Sequence, residues 1–360
     1  MKRLLLIILF GLVAFVPVSA LAATEIDQTV IDAAIGGTAT AGIRKDGTMT
    51  LYIATGEYKL TSDLDLGNCT LVLKGGTSPT NIINTVIIDM NGFDIIADGG
   101  PMQYATIYVD RQSSLTLTGD GEISSSSTNS LKKSLFVEGH EITVVIDGPK
   151  FSNNVVFNGA SIESYSEIHI KSGTFTNMSA TNAKMIIDDG VFDGSGSTPT
   201  LIIQNGLYTI NGGEFGGEYA VAYNASDERS TFIINGGKFV GGEIGLAANL
   251  TGLKISKGIF KGNTAGIQFN ADGDVDATSL LAEGSYYSPD AVLRKEGIAH
   301  YTQTEIEVKK QESEQTQETT TEEEKKDETK NPKTGDNIMI YASLFGLSIV
   351  GLYILRKRFN

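Results

Sequence analysis

A six-residue pattern of hydrophobic and polar positions recurs along the middle of the chain. Each copy opens with an isoleucine, continues with polar residues and a glycine, and closes with a phenylalanine. The copies are Ile146–Phe151, Ile170–Phe175, Ile187–Phe192, Ile210–Phe215, Ile234–Phe239 and Ile255–Phe260, followed by a degenerate seventh, Leu281–Tyr286. Another apolar residue stands two positions before each leading isoleucine. This alternation predicts a short strand with one face turned inward.

The spacing of these copies indicates a solenoid. The closing aromatic residue returns about every 22 residues, which is the length of one turn in a repeat protein. The glycine lets the backbone turn a corner at which a side chain would be strained. Asn-Gly pairs ordinarily favour two-residue hairpins, and they occur at Asn91, Asn158, Asn205, Asn211 and Asn235. Because the repeat is too long for a hairpin meander, we expect stacked parallel coils.

The residues before the first copy show a similar alternation of predicted strands and turns. An Asp-X-Asn-Gly segment begins at Asp89 and precedes the Gly-X-Phe copies. This order resembles the right-handed parallel β-helix, pectin-lyase-like repeats of many bacterial surface proteins, over about Leu60 to Tyr287. The resemblance implies an all-β fold, a single-stranded right-handed parallel β-helix (β-solenoid) over residues 60–300, with a cap over residues 23–59. Such repeats specify architecture well and function poorly.

The N-terminal residues have the pattern of a secretory signal peptide. Two basic residues precede an apolar run from Leu4 to Val18, and Ala20 and Ala22 occupy the two small-residue positions before a cleavage site. We therefore predict that residues 1–22 are removed and that the chain is exported.

The C-terminal end carries three signals in a fixed order. They are the motif Asn331-Pro332-Lys333-Thr334-Gly335, an uncharged apolar segment over residues 338–355, and a basic tail over residues 356–360. The apolar segment is long enough for a transmembrane helix, and the terminal cations are expected on the cytoplasmic side.

These three signals resemble the cell-wall sorting signal of Gram-positive surface proteins, whose pentapeptide is usually Leu-Pro-X-Thr-Gly. In that family a sortase attacks the Thr-Gly carbonyl and transfers the threonine acyl group to peptidoglycan. Carried onto this chain, the resemblance implies cleavage between Thr334 and Gly335. Asn331 stands where leucine is usual, which leaves the class of sortase open.

The residues before this motif predict a stalk. Residues 301–330 are rich in Glu, Thr and Lys, and from Thr302 onwards their apolar residues are Ile306 and Val308. A segment of this composition lacks the apolar surface for a core. We therefore expect a disordered acidic stalk between the folded part and the anchor.

The overall composition narrows the classes of partner. The formal net charge is −15, so nucleic acid and anionic membrane surfaces would repel the chain, and no nucleic-acid partner is expected. The 41 glycines suit a fold with many corners. Cys69 is the single cysteine, so no intramolecular disulfide stabilises the exported protein.

One column of polar residues is a candidate for chemistry. The residues that follow the leading isoleucines are Asp147, Lys171, Asp188, Asn211, Asn235 and Ser256. Neighbouring coils lie about 4.8 Å apart, so we expect Lys171 between Asp147 and Asp188, with Asp189 next to them. A lysine between carboxylates keeps its proton more firmly and is a poor general base. We favour a neutralising ladder, continued by the asparagines, over a catalytic set.

A metal signal occurs near the end of the repeats. Four acidic residues have the 1, 3, 5 and 12 spacing of a calcium loop: Asp272, Asp274, Asp276 and Glu283. Ala277 stands where the sharp turn of such a loop needs glycine. Calcium is therefore a candidate ligand, with an acidic loop as the alternative, and no other cofactor is expected.

The histidines and tyrosines give little further evidence for a functional site. The histidines, His140, His169 and His300, have no Ser or Cys partner in a recognisable motif, so we expect all of them on the exposed surface. Candidate platforms for a sugar ring are Tyr219, Tyr223, Tyr286 and Tyr287, although aromatic residues at repeat positions are more often part of the core.

Taken together, these patterns predict an extracellular protein anchored to a Gram-positive cell wall, with a membrane-spanning precursor. The leading functional hypothesis is an adhesin or interaction module whose partners are sortase, peptidoglycan and a host or microbial glycan or protein. One alternative is a polysaccharide lyase or glycoside hydrolase on the same scaffold, and another is a passive structural component of the wall coat. Because no catalytic set is convincing, we expect the protein not to be an enzyme.

Overall fold

The computed structural model describes residues 22–75, 83–98, 105–127, 129 and 131–311. The predicted sortase motif, transmembrane segment and basic tail lie outside these ranges, as does the predicted signal peptide apart from Ala22. Within the described ranges, no helix is long and apolar enough to cross a bilayer.

The described residues form an all-β fold. An α-helix, α1, spans Gln28–Ile35, and a short 3₁₀-helix spans Ala277–Leu280. The first strands are β1 (Thr24–Ile26), β2 (Ile43–Asp46), β3 (Thr50–Ile53), β4 (Gly56–Leu60), β5 (Leu64–Asp65), β6 (Thr70–Leu73), β7 (Asn84–Asp89), β8 (Ile95–Ala97), β9 (Ala105–Val109) and β10 (Ser113–Thr118). The middle strands are β11 (Glu122–Ser125), β12 (Lys133–Gly139), β13 (Ile142–Phe151), β14 (Asn154–Gly159), β15 (Ser166–Phe175), β16 (Met178–Ile187), β17 (Val191–Phe192), β18 (Leu201–Ile210), β19 (Glu214–Phe215) and β20 (Tyr219–Asn224). The last strands are β21 (Thr231–Ile234), β22 (Lys238–Val240), β23 (Ile244–Asn249), β24 (Leu253–Ile255), β25 (Gly258–Lys261), β26 (Ala265–Asn270), β27 (Ser285–Ser288), β28 (Arg294–Glu296), β29 (Ala299–Tyr301) and β30 (Glu305–Lys310).

Most of these strands pair in parallel with strands one turn earlier and one turn later in the chain, so they form a long, mostly parallel sheet compatible with a β-solenoid. Three columns of strands can be followed along it. Column A contains β4, β7, β10, the first parts of β13 and β15, the second parts of β16 and β18, then β21 and β24. Column B contains β5, β8, β11, the ends of β13 and β15, then β17, β19, β22 and β25. Column C contains β3, β6, β9, β12, β14, the first parts of β16 and β18, then β20, β23 and β26.

The register confirms the repeat read from the sequence. In column A the leading isoleucines pair directly, from Ile146 with Ile170 through to Ile234 with Ile255. Every one of these isoleucines is buried, since alternate side chains of a strand point to the same face.

The closing phenylalanines stack in column B. Successive rings lie 5.1, 4.8, 4.5, 4.9 and 4.8 Å apart between centroids from Phe151 to Phe260, with nearly parallel planes. All of these rings are buried. Burial of rings of this size is a large source of hydrophobic stabilisation.

A glycine in the left-handed region turns the corner between columns A and B. At Gly237, for example, φ is 113°, and an added Cβ would lie 3.2 Å from the Phe239 ring. Glycine is therefore needed both for the backbone conformation and for the close approach of the ring.

Non-repeating residues close the N-terminal end. Helix α1 buries Ile31 and Ala34, and the Asp27 carboxylate accepts a hydrogen bond from the Val30 amide at 3.1 Å, which satisfies one free N–H of the first turn. Strands β2 and β3 form an antiparallel pair. Parallel pairing already includes β1 with β4 and β3 with β6, so the coils begin within the predicted cap, before residue 60.

The C-terminal end corrects the predicted stalk. Strand β30 pairs antiparallel with both β25 and β27, and β29 pairs antiparallel with β26. Ile306 and Val308 are fully buried. The prediction of disorder is therefore wrong for residues 301–311. Tyr301 ends β29, and Ile306 and Val308 alternate with charged residues and give β30 an apolar face. Residues 312–330 lie outside the described ranges.

Candidate functional site

A polar ladder on the outer face of column A is the candidate site. His169 stands between buried Ile168 and Ile170 in β15, so its side chain faces outward. Asp188 directly follows buried Ile187 at the end of β16. The parallel pairing of β15 with β16 thus brings an imidazole and a carboxylate to the same edge of the outer face.

Hydrogen bonds link this ladder over successive coils. The His169 Nε2 atom lies 2.5 Å from Asp188 Oδ2. The Asn211 amide donates to Asp188 Oδ1 at 2.8 Å, and the Asn235 amide donates to Asn211 Oδ1 at 3.0 Å. The predicted asparagine ladder is therefore confirmed from Asp188 to Asn235.

These neighbours favour the ionised form of Asp188. The hydrogen bond from Asn211, the hydrogen bond that the carboxylate accepts from His169 and the nearby charge of Lys171 lower the pKa of Asp188, while its partial burial opposes them. Donors and positive charge stabilise a carboxylate relative to the neutral acid. Asp188 is thus an anion that its neighbours hold in place.

Lys171 does not stand between two carboxylates as predicted. Ile146 pairs with Ile170, but the next pair joins Asp147 with Ser172, so Lys171 is the extra residue of a bulge. The cause is the corner glycine, since Gly148 comes one position earlier in its copy than Gly173 does in the next. Lys171 is exposed at this bulge.

The other predicted carboxylates have separate partners. Asp147 Oδ1 accepts a hydrogen bond from the Ser172 hydroxyl at 2.8 Å, and Asp189 Oδ1 accepts one from the Gly190 amide at 2.8 Å. Acid–base cleavage of a glycosidic bond needs two carboxyl groups that flank that bond. Asp147, Asp188 and Asp189 instead each have a different hydrogen-bond partner.

The sequence reading missed the role of His169. It placed the side chain outward, which agrees with the structure, but it gave the imidazole no partner. The available signal was its position one residue before Ile170, next to the polar column on the same face.

His300 is buried, which corrects the expectation of an exposed side chain. Only 2% of it is exposed, and its ring stacks on Phe269 with centroids 5.2 Å apart. The Nδ1 atom lies 3.2 Å from the Ile298 carbonyl oxygen. Strand β29, which carries His300, covers the last parallel strand of column C.

The predicted calcium loop does not assemble. Asp274 lies 2.9 Å from the Lys295 ammonium, and its side chain is 99% exposed. Asp276 accepts a hydrogen bond from the Thr278 amide at 2.9 Å and caps the 3₁₀-helix, while Asp272 and Glu283 are exposed. No group of three or more potential metal ligands occurs in the part of the chain that the structure describes. Asp274 and Asp276 thus serve local contacts, an arrangement that favours the alternative of an acidic loop.

Most of the residues predicted for signal-peptide cleavage and anchoring lie outside the residues that the structure describes. Ala20 and the motif Asn331-Pro332-Lys333-Thr334-Gly335 lie beyond the described ranges. Ala22 is described, and it lines an N-terminal cavity of about 620 Å³ together with Tyr58 and Glu57. The Tyr58 hydroxyl donates to the Ala54 carbonyl at 2.8 Å, and burial raises the pKa of Tyr58.

Comparisons of this chain with models of protein families, with curated proteins and with solved structures give no match.

Proposed function

We propose that this protein is a surface protein that sortase links covalently to peptidoglycan and that acts as an adhesin or interaction module. The observation that carries the interaction function is the hydrogen-bonded ladder from His169 to Asn235, whose polar groups lie side by side on an outer face. The sequence patterns of the two chain ends support export and anchoring.

The finer architecture belongs to the same proposal. We infer a single-stranded right-handed parallel β-helix of the pectin-lyase-like kind. Strand pairing between successive turns and the stacked phenylalanine rings support this inference. A solenoid of this kind offers long rows of regularly spaced side chains to a ligand.

Anchoring is tested with Thr334→Ala in a Gram-positive host that expresses sortase. The expected result is a shift of the protein from the wall fraction to the membrane and the medium, because the scissile Thr-Gly carbonyl no longer suits the enzyme. Lys333→Ala is the matched control, since the third motif position is variable in the resembling family, and it should stay in the wall. Unchanged wall retention of Thr334→Ala would refute the anchoring proposal.

Interaction is tested separately with a glycan array and a panel of host surface proteins, probed with the full chain in detergent. We expect selective binding to at least one class of ligand. Binding to nothing would favour a passive coat component. Asp188→Asn and Asn235→Ala are then compared with wild type to find whether the ladder takes part.

A further inference from the structure

An open groove at the C-terminal end of the described fold gathers positive charge. Its cavity of about 590 Å³ is lined by Lys257, Tyr286, Glu307, Lys309, Lys310 and Gln311. This volume lies within the range of sites that bind small molecules.

The antiparallel closure of the fold builds this groove. Strand β30 pairs with β27, where Lys309 is opposite Tyr286 and Lys310 is opposite Ser285. The same strand pairs with β25, which begins just after Lys257. Residues from three separate stretches of the chain therefore line one groove on a hydrogen-bonded backbone framework, which favours a defined geometry.

Two cations of the groove have no ion pair with any of the described residues. Lys309 lies 3.2 Å from Glu307. Lys257 and Lys310 are exposed, and neither forms an ion pair with any residue that the structure describes. On a chain of net charge −15, this makes the groove a local positive site, and positive potential in a concave site favours an anion.

Tyr286 adds a flat apolar surface to this charge. Its side chain is 49% exposed. An exposed tyrosine ring offers an apolar face together with a hydroxyl, and the neighbouring Gln311 amide supplies both donors and an acceptor. This combination suits a ring-shaped ligand that carries hydroxyl groups and a negative charge.

We propose that the groove between β25, β27 and β30 binds an anionic saccharide unit, with Lys257 and Lys310 contacting its charged group and Tyr286 covering one face of its ring. The charged group is a phosphate or a carboxylate. This proposal rests on the proposed interaction function. It adds to that function a class of ligand and the place where the ligand binds.

The full chain in detergent micelles is titrated with glucose 6-phosphate, glucuronate, glucose and inorganic phosphate, and binding is followed by saturation-transfer NMR. We expect at least one of the two anionic sugars to bind about tenfold or more tightly than glucose, because a charge-assisted contact is lost in the neutral sugar. The two anionic sugars distinguish a phosphate from a carboxylate ligand. Equal binding of glucose and both anionic sugars would overturn the proposal.

Variants locate the binding. Lys257→Gln together with Lys310→Gln should weaken binding of the anionic sugar about tenfold or more. The matched pair Lys59→Gln and Lys132→Gln, which lies outside both the groove and the ladder, should leave it unchanged. Tyr286→Ala should weaken sugar binding and Tyr286→Phe should retain it. Thermal unfolding of each variant confirms that the fold is intact, since all five side chains are at least partly exposed. Undiminished binding in the groove variants would overturn the proposal.

Two further results separate this inference from others. Glycan-array binding that survives the Lys257 and Lys310 changes would keep the proposed interaction function and overturn the groove assignment. Sugar binding that appears only after Glu312→Gln and Glu314→Gln would also overturn it, because the natural occupant would then be the chain's own acidic segment.

Discussion

The repeated middle of the fold and its C-terminal end bury apolar side chains by different means. In the middle, each turn adds a phenylalanine to the column that runs from Phe151 to Phe260. At the end, the chain reverses direction, and β29 and β30 cover the last parallel strands with antiparallel pairs. Repetition can specify a stack of any length, but an exposed strand edge must be covered by residues that do not repeat.

Removal of one ring from the stack should have the largest effect. Phe215 is 1% exposed and lies between Phe192 and Phe239 at 4.5 and 4.9 Å. We expect Phe215→Ala to lower the free energy of unfolding by about 3–5 kcal/mol, because it leaves a cavity between two rings. The measurement is urea unfolding monitored by circular dichroism. Val191→Ala on the outer face is the control, with a change of at most about 0.5 kcal/mol, and similar losses for both would contradict a stacked core.

A substitution at the C-terminal end of the fold should lower the overall stability and also loosen the strands around it. Ile306→Ala removes a fully buried side chain from β30, and we expect a loss of about 2–4 kcal/mol. Terminal units of a solenoid contact neighbours on one side only, so amide exchange should accelerate first in β25, β27 and β30. Glu305→Ala on the same strand is the control, because its ion pair with Lys261 is exposed. Exchange that accelerates equally in β13 would show that the end and the middle unfold as one unit.

The ladder on column A predicts a smaller, pH-dependent effect. The pKa of Asp188 is lowered chiefly by Asn211, so this carboxylate adds stability above its ordinary pKa of about 3.9. That stability is lost as the pH falls through the lower pKa of the folded state. Asn211→Ala should raise the pKa of Asp188 and reduce the gain in stability between pH 2 and pH 7 by less than about 1 kcal/mol.

This prediction is checked by NMR titration of the Asp188 carboxyl group and by unfolding at several pH values. Asn235→Ala is the control, because Asn235 donates to Asn211 rather than to the carboxylate. An unchanged pKa of Asp188 in the Asn211 variant would show that the ladder does not cause the lowered pKa.

The smallest expected effect is that of calcium. Asp274 is paired with Lys295 and Asp276 caps a short helix, so millimolar calcium or a chelator should leave the melting temperature unchanged within error. Differential scanning fluorimetry of wild type and Asp274→Ala provides the measurement. A melting temperature that calcium raises in wild type but not in the variant would show that the loop binds calcium.

The repeated middle of the fold was easier to predict from the sequence than its C-terminal end. The register of Ile146 with Ile170 and of Phe151 with Phe175 was predictable, because each copy repeats the same inward positions. The position of Lys171 was not, since it depends on a one-residue bulge between β13 and β15 that a shared six-residue spacing conceals. The contact of His169 with Asp188 was missed because His169 lies before the leading isoleucine, outside the six-residue copy.

The C-terminal closure was missed for a different reason. Ile306 and Val308 lie in a segment whose composition is that of a disordered chain. Two alternate apolar residues form a stable strand only when an open sheet edge is present to pair with them. That edge is created by β25 and β27, from earlier parts of the chain, so the local composition gave the wrong prediction.

The central proposal is that the folded part binds a surface ligand without transforming it. The most direct measurement incubates the full chain in detergent with a panel of acidic polysaccharides and records both the bound polymer and the new reducing ends or unsaturated products. We predict retention of at least one polymer, lowered by the Lys257→Gln and Lys310→Gln changes, with no product. Products that accumulate with time and require the protein would contradict the claim.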